Sequence, residues 1–172
     1  DESSASGAST WYLDADRDTY GNGSISQVAC SQPSGYVADN TDCNDGSSSA
    51  YPGATELCDG LDNDCDGAID ENSSANAGTW YRDADADGFG TSATSTVSCS
   101  QPTGYVSNAT DCNDNRAASY PGAPEYCNGY DDDCDGTTDE NDALDVSTWY
   151  VDADGDSYGD RRNTTVACTA PA

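Results

Sequence analysis

The chain has 172 residues, of which 33 are Asp or Glu and only 5 are Lys or Arg, so its formal charge is −28. This balance excludes binding to the phosphates of nucleic acids, which depends on clusters of Lys and Arg. Val, Ile, Leu and Phe number 14 of 172, well under the roughly 20% below which a highly charged chain is expected to be disordered. An ordered fold therefore needs counter-cations or cross-links in addition to a hydrophobic core.

Within each repeating unit, described below, the sequence predicts short β-strands joined by turns and loops. In the first unit "TWYL" and "SQVAC" favour strands, and "QPSGYV" predicts a turn into a third strand. No convincing amphipathic helix is present. The predicted fold class is a small, irregular all-β tandem repeat with little helix, elongated and ordered by Ca²⁺ and disulfides.

A unit of 69 residues repeats along the chain, which is the sequence signature of a tandem-repeat protein. The first aspartates of three similar acidic runs are Asp14, Asp83 and Asp152. The predicted organisation is the end of a preceding repeat at 1–7, a first repeat at 8–76, a second at 77–145 and the first part of a third at 146–172. All five Glu fall into two registered columns, Glu2, Glu71 and Glu140 in one and Glu56 and Glu125 in the other.

The acidic run after the first predicted strand has the pattern of half a calcium loop. Asp14, Asp16 and Asp18 occupy positions 1, 3 and 5, and the backbone carbonyl at position 7 adds an oxygen. The turn glycine at position 6 is kept only as Gly88, and no Glu stands at position 12. We expect "TDCND" to supply the missing ligands. The predicted ligands are Asp14, Asp16, Asp18, Tyr20, Asp42, Asn44 and Asp45; Asp83, Asp85, Asp87, Phe89, Asp111, Asn113 and Asp114; and Asp152, Asp154, Asp156 and Tyr158.

A second acidic loop, "DNDCDGAIDE" and its copy "DDDCDGTTDE", fits the calcium-loop pattern better because glycine stands at position 6. The upstream glutamates could close the ligand shell. The predicted ligands are Glu56, Asp62, Asp64, Asp66, Ala68 and Asp70, and Glu125, Asp131, Asp133, Asp135, Thr137 and Asp139. Six to eight flexible oxygens favour Ca²⁺, and the absence of His and Met disfavours transition metals.

The 9 cysteines, in a chain without His, predict disulfides in an oxidising compartment. Their spacing leaves the pairing open, and we favour closure within a repeat because it would tether each calcium loop. The favoured pairs are Cys30–Cys43, Cys58–Cys65, Cys99–Cys112 and Cys127–Cys134; the alternative across repeats is Cys65–Cys99 with Cys134–Cys168. No apolar run reaches the length of a transmembrane segment.

Two further features have both a structural and a functional interpretation. Trp11, Trp80 and Trp149, each followed by Tyr, are expected to form a small core, with carbohydrate stacking as the alternative. The Asn-x-Ser/Thr sequons do not fall at equivalent positions of the repeats. In an extracellular chain they predict glycosylation. The sequon residues are Asn22, Asn72, Asn108 and Asn163.

The motifs "DADADGFG", "CSQPTGYV", "TDCND", "YPGA" and "CDGLDNDCDGAIDE" together resemble the bacterial metal-binding repeat of MopE-type surface proteins, and more distantly the thrombospondin type 3 calcium repeats. The resemblance spans both full repeats and the partial third. It implies a secreted or surface-exposed bacterial protein, often with long arrays, that binds metal and is largely non-catalytic. The copper binding of one branch is not expected here, because His and Met are absent.

The sequence thus predicts a non-catalytic extracellular calcium-binding repeat of a bacterial surface stalk, adhesin or filament. Its expected partners are neighbouring repeats or copies of the same chain, and possible surface glycans. A secreted metal-scavenging or storage protein is the main alternative, and an accessory array of a secreted enzyme is a weaker one. No Ser/His or Cys/His catalytic pair is possible in a chain without His.

Overall fold

The computed structural model describes residues 7–171. Most of the predicted preceding repeat, residues 1–6, lies outside the described residues. The chain divides into two compact units. One contains the residues up to Gly78 together with Val97–Ser100, and the other contains Thr79–Thr96 and the residues from Gln101 onward.

Short antiparallel strands form the regular structure of residues 7–171, in which no helix occurs. The strands are β1 (Ser9–Leu13), β2 (Asn22–Ala29), β3 (Tyr36–Val37), β4 (Gly78–Arg82), β5 (Thr91–Ser98), β6 (Tyr105–Val106), β7 (Ser147–Val151) and β8 (Asp160–Ala167). They form sheets in the orders β2-β1-β3, β5-β4-β6 and β7-β8. This architecture confirms the predicted all-β, irregular fold class.

Each acidic run of the first type is the loop of a β-hairpin. Leu13 at the end of β1 pairs with Asn22 at the start of β2, so that 14–21 connect the two strands. Val151 and Asp160 frame the corresponding loop in the third repeat. The flanking strands are rich in Thr, Trp, Tyr and Val, which favour extended backbone. The hairpin therefore fixes both ends of the acidic run.

The third strand covers the second edge of β1. Tyr12 pairs with Val37, Leu13 pairs with Tyr36, and the Asp14 N–H donates to the Gly35 carbonyl at 3.0 Å. The predicted turn in "QPSGYV" forms through the Tyr36 N–H and the Pro33 carbonyl, 3.2 Å apart. Tyr81 and Arg82 pair with β6 in the same way.

The buried hydrophobic residues among those described are small. They are Ala29, Ala50, Ala123 and Ala143. Trp11 and Trp149 are only half-buried, with their indole N–H groups donating to the carbonyls of Ala29 and Ala167, and Tyr150 is 52% exposed. The fully buried hydrophobic positions are therefore alanines, and the Trp side chains are buried only in part.

Neither predicted disulfide pattern forms. Cys30–Cys43, Cys58–Cys65, Cys99–Cys112 and Cys127–Cys134 are wrong, as are Cys65–Cys99 and Cys134–Cys168. The disulfides are Cys43–Cys65, Cys58–Cys99, Cys112–Cys134 and Cys127–Cys168.

The backbone explains the observed pairing. Cys43 stands between Asp42 and Asn44, and its N–H lies 3.3 Å from the Cys65 sulfur, because "TDCND" packs against the second acidic loop. The N–H of Cys58 donates to Asn76 in the spacer at 2.6 Å, which holds Cys58 near the strand that ends at Ser98. Loop-closure entropy changes slowly with length, so it does not enforce the shorter pairs.

The two full repeats fill the same buried position with different side chains. Asn63 is 0% exposed in the first repeat and donates to the Ser49 carbonyl at 3.4 Å. Asp132 is 1% exposed in the second and forms a salt bridge with Arg116. Burial alone raises the pKa of Asp132, but hydrogen bonds from Arg116 and Asn128 outweigh it, so that the pKa lies below its usual value. Arg116 therefore compensates a buried charge.

Arg116→Ser is expected to destabilise the second repeat by about 3–5 kcal/mol, because it leaves the Asp132 carboxylate buried without its cation. Adding Asp132→Asn copies Ser47 and Asn63 of the first repeat and is expected to restore most of that loss. Urea unfolding of both variants in calcium buffer measures the difference. Equal stability of the single variant and the unmodified chain would contradict this role of Arg116.

Candidate metal centre

Backbone hydrogen bonds shape the first acidic loop around its carboxylates. The Arg17 N–H donates to Asp14 Oδ1 at 2.7 Å, and the Tyr20 N–H donates to Asp18 Oδ1 at 2.8 Å. Each of these aspartates thus uses one oxygen to hold the loop. The second copy repeats this, since the Phe89 N–H donates to Asp87 Oδ1 at 2.8 Å.

All five acidic loops have left-handed backbone at their fourth and sixth positions. The fourth-position residues are Arg17, Cys65, Ala86, Cys134 and Gly155, and the sixth-position residues are Thr19, Gly67, Gly88, Gly136 and Ser157. Thr19 has a φ of 85°, which is strained for a β-branched residue. The loops therefore share one conformation, including those that lack the turn glycine.

The structure brings "TDCND" to the first acidic loop. Carboxylate oxygens of Asp14, Asp16 and Asp18 lie within 4.8 Å of one another, and those of Asp16, Asp42 and Asp45 do likewise. Asp45 also accepts the Ala15 N–H at 2.6 Å. Two oxygens bound to one Ca²⁺ at 2.3–2.6 Å each can be up to about 5 Å apart, so this grouping fits a shared cation.

Buried oxygens without hydrogen-bond partners mark the same place. In residues 7–171 the Oδ2 atoms of Asp16, Asp18 and Asp42 are buried and have no partner. The equivalent atoms of Asp85, Asp87 and Asp111 are in the same state. An unpaired buried carboxylate is strongly unfavourable, and several together repel one another. These oxygens require a cation or protons.

Burial, and secondly repulsion between neighbouring carboxylates, raises pKa values in this cluster in both repeats. Burial raises the pKa of Asp18, and the neighbouring Asp16 carboxylate raises it further against a lowering hydrogen bond from Tyr20. Asp111 is 8% exposed; burial raises its pKa, and the Asp87 carboxylate adds to the increase. Burial likewise raises the pKa of Asp42 and Asp87.

The third acidic run lacks this environment. Its residues from Asp152 to Tyr158 are all exposed. The pKa of Asp152 is lowered, mainly by the hydrogen bond from the Ser157 N–H, whereas the pKa values of Asp18 and Asp87 in the other two runs are raised. The loop conformation persists, with the Tyr158 N–H donating to Asp156 Oδ1 at 2.8 Å. The run by itself therefore forms the loop but not the crowded carboxylate cluster.

The second acidic loop forms another cluster. Oxygens of Glu56, Asp62 and Asp64 lie within 4.8 Å of one another. Glu56 is 9% exposed and also organises the loop, because its Oε2 accepts the Asn63 N–H at 2.8 Å. Asp66 is anchored through its Oδ1, which accepts the Ala68 N–H at 2.8 Å.

The structure adds one candidate ligand in each full repeat that the sequence did not assign. In the described part of the chain, Glu71 Oε2 is buried without a hydrogen-bond partner, and both carboxylate oxygens of Glu140 are in the same state. A hydrogen bond from its own N–H lowers the pKa of Glu71, but burial and the carboxylates of Glu56, Asp66 and Asp64 outweigh it and raise the pKa. The sequence feature that could have indicated this role is the position of Glu71 and Glu140, which is the same in both repeats.

Asp70 and Asp139, which were predicted to bind metal, accept backbone hydrogen bonds in the structure. Asp70 Oδ1 accepts the N–H groups of Asp59 and Gly60 at 2.9 and 2.8 Å. Asp139 makes the equivalent pair of contacts. These carboxylates cap a turn, and their ligand role stays a prediction.

The other predicted positions are placed as follows. The Asn44 N–H donates to Asp42 Oδ1 at 2.7 Å, and Asn113 repeats this contact with Asp111. Position 7 of the first loop carries Tyr20 or Phe89, whose rings stack on Tyr51 and Tyr120 at 5.4 and 5.5 Å between centroids. Their carbonyls, and those of Ala68, Thr137 and Tyr158, remain predicted ligands.

The sequons have different surroundings. The Asn108 amide nitrogen donates to the Gly88 carbonyl at 3.0 Å, and its oxygen accepts the Gly90 N–H at 3.1 Å. Asn22 is half-buried, whereas Asn72 and Asn163 are exposed. A glycan on Asn108 would disturb a contact that holds the first acidic loop, so glycosylation is structurally easier at the two exposed sequons.

One disulfide joins the two clusters of a repeat. Cys43 is adjacent to Asp42 in the first cluster, and Cys65 stands between Asp64 and Asp66 in the second. The Tyr51 N–H also donates to the Asn63 carbonyl at 2.9 Å, so the ring that stacks on Tyr20 is tied to the second loop. The two clusters are parts of one covalently fixed assembly.

The family described as "Putative metal-binding motif", with the family name Cu-binding MopE, matches residues 42–71 and 111–140. Each match runs from "TDCND" through the second acidic loop to Glu71 or Glu140. The chain therefore carries two copies of this metal-binding motif and is similar to MopE-type repeat proteins over these segments. Comparisons with curated proteins and with solved structures give no match.

Glu140→Gln is expected to weaken divalent-cation binding at the second loop of the second repeat by about tenfold to a hundredfold, because it removes a charged ligand. The site of the first repeat, which keeps Glu71, serves as an internal reference. Asp142→Asn is the matched control, since Asp142 is exposed nearby. Cation titration by calorimetry measures the change, and equal affinities for both variants would contradict a ligand role.

The cation-free protein is expected to become more stable as pH falls from neutral toward the ordinary pKa range of Asp and Glu, about 4. The raised pKa values of Asp18, Asp42, Asp87, Asp111, Glu71 and Glu140 mean that the folded state binds protons more tightly than the unfolded state. Their stabilisation is complete below the unfolded pKa and is lost as pH rises through the folded one.

With saturating calcium the trend is expected to reverse, because protons then compete with the cation. Thermal unfolding of resin-treated and calcium-loaded protein at several pH values measures both trends. The same slope in both samples would contradict the shared role of these carboxylates.

Proposed function

We propose that this chain is a calcium-binding structural repeat of an extracellular, non-catalytic protein, with two cations in each complete repeat. The observation that carries the proposal is the set of buried carboxylate oxygens without partners at Asp16, Asp18 and Asp42 and at their counterparts in the second repeat. A cation that occupies each cluster would supply the missing partner and cancel the repulsion.

The donor set favours a hard cation over copper, although copper stands in the name of the matching family. The clusters of Asp14, Asp16 and Asp18, of Asp16, Asp42 and Asp45, and of Glu56, Asp62 and Asp64 consist of carboxylates, and the chain contains neither His nor Met. Cys43, Cys65, Cys112 and Cys134, which stand beside the clusters, are tied up in disulfides and offer no thiolate. Oxygen-rich, flexible sets suit Ca²⁺.

An extracellular setting agrees with the cross-links. Four disulfides are typical of oxidising compartments, which are also rich in calcium. The described residues include no helix long and apolar enough to cross a membrane. A bacterial surface stalk, adhesin or filament is the setting we propose, on the strength of the repeated modules and the matched motif.

The structural role follows from energetics. Buried apolar side chains are few and small among the described residues, so burial alone stabilises the fold weakly. A cation at 100 times its dissociation constant stabilises the folded state by about 2.7 kcal/mol. Four such sites would contribute an amount comparable to the whole stability of an ordinary domain.

Calcium titration of the metal-free chain is expected to show about four ions per chain, with a weaker fifth at the third acidic run. Chelation is expected to abolish near-UV circular dichroism and to make the chain protease-sensitive. Magnesium and copper titrations under the same conditions serve as controls. Retained dichroism in excess chelator, or tight copper binding with weak calcium binding, would overturn the proposal.

A further inference from the structure

The second repeat contains two groups of buried carboxylates whose oxygens have no hydrogen-bond partner among residues 7–171. We call Asp85, Asp87 and Asp111 the first cluster, because the Oδ2 atoms of all three are in this state. The second cluster is formed around Glu140, where both carboxylate oxygens are in this state. Two separate contacts connect the first cluster to the loop of the second.

The first connection is covalent. Cys112 directly follows Asp111, and its disulfide partner Cys134 stands between Asp133 and Asp135 in the second acidic loop. The Cys112 N–H also lies 3.3 Å from the Cys134 sulfur. The segment that brings Asp111 to the first cluster is therefore fixed to the second loop.

The second connection passes through an aromatic stack. The Phe89 N–H donates to Asp87 Oδ1 at 2.8 Å, and the Phe89 ring stacks on Tyr120 with 5.5 Å between centroids. The Tyr120 N–H in turn donates to the Asp132 carbonyl of the second loop at 2.9 Å. The hairpin side of the first cluster is thus tied to the second loop independently of the disulfide.

Both halves of the first cluster are therefore attached to the second loop, and this has a consequence for binding. A cation that orders the second loop also restricts the segments of Asp87 and Asp111, so that the first cluster loses less conformational entropy when it binds its own cation. Repulsion between the two cations opposes this effect, but salt at physiological concentration screens much of it.

We propose that the two cation sites of a complete repeat bind calcium with positive cooperativity, coupled through the Cys112–Cys134 disulfide and the Phe89–Tyr120 stack. The first repeat has the same two connections, Cys43–Cys65 and Tyr20–Tyr51. The coupling rests on the proposed function, because it concerns the affinity of each site for calcium.

Two glycine amides report the two sites separately. The Gly88 N–H donates to Asp83 Oδ2 at 3.2 Å in the first loop, and the Gly136 N–H donates to Asp131 Oδ2 at 3.0 Å in the second. Calcium titration of the full chain at about 0.15 M salt, followed by nuclear magnetic resonance, gives a midpoint for each amide.

A substitution in either cluster is expected to weaken the other site. Glu140→Gln is expected to raise the calcium midpoint of Gly88 by about threefold or more, although Glu140 lies outside the first cluster. Asp111→Asn, which keeps the oxygen that accepts the Asn113 N–H, is expected to raise the midpoint of Gly136 because binding coupling is reciprocal. Asp142→Asn removes an exposed charge and is the control, with both midpoints unchanged.

Variants of Tyr120 separate ordering from charge. Addition of Tyr120→Ala to Glu140→Gln or Asp111→Asn is expected to reduce the shift at the other site to less than half, measured against Tyr120→Ala alone. Tyr120→Phe keeps the stacked ring and is expected to leave the shift intact. An effect of charge through space does not depend on this ring.

The outcomes distinguish the coupling from the proposed function. Calcium binding in which neither substitution shifts the midpoint of the other site overturns the coupling and leaves the proposed function standing. Shifts of equal size with and without the Tyr120 ring assign the effect to charge and also overturn the coupling through the stack. Absence of calcium binding by the unmodified chain overturns the proposed function itself.

Discussion

Repulsion between buried carboxylates is the constraint on which this structure depends. In each full repeat, aspartates of a hairpin loop meet aspartates from further along the chain, as when Asp42 comes to the loop of Asp16 and Asp18. Their inner oxygens lack partners among the described residues. A hydrophobic core of four small alanines cannot hold such charges together. The cation that we propose for each cluster would give these oxygens the partner that they lack and cancel their repulsion.

The rest of each repeat positions these oxygens. The hairpin fixes the ends of the first loop, and backbone N–H groups engage the outer carboxylate oxygens at Asp14 and Asp18. The Cys43–Cys65 disulfide and the Tyr20–Tyr51 stack then hold the second loop against the first. The two loops of a repeat are therefore held together by covalent and aromatic contacts.

The third acidic run shows which features of the loop are local. In the third repeat the loop keeps its internal hydrogen bonds, yet its aspartates are exposed and the pKa of Asp152 is lowered by the Ser157 N–H. Local sequence is thus sufficient for the loop, and in the first and second repeats "TDCND" adds the carboxylates that complete the crowded cluster. Between the two full repeats, the exchange of Asn63 for Asp132 with Arg116 shows that the surrounding scaffold tolerates a charge when its partner is supplied.

The sequence by itself determined the repeat, the strands and the acidic loops, because these depend on residues close together in the chain. It also indicated that "TDCND" would return to the first loop, since the run lacked its own closing ligand. Only the tertiary structure decided the disulfide partners: Cys43 meets Cys65 because two loops pack back to back, which spacing does not encode. It likewise buried Glu71 Oε2 without a partner, near enough to Glu56, Asp64 and Asp66 for their charges to raise its pKa, and turned Asp70 toward the N–H groups of Asp59 and Gly60. The direction of each carboxylate depends on the path of the folded backbone, which a linear pattern of aspartates leaves undefined.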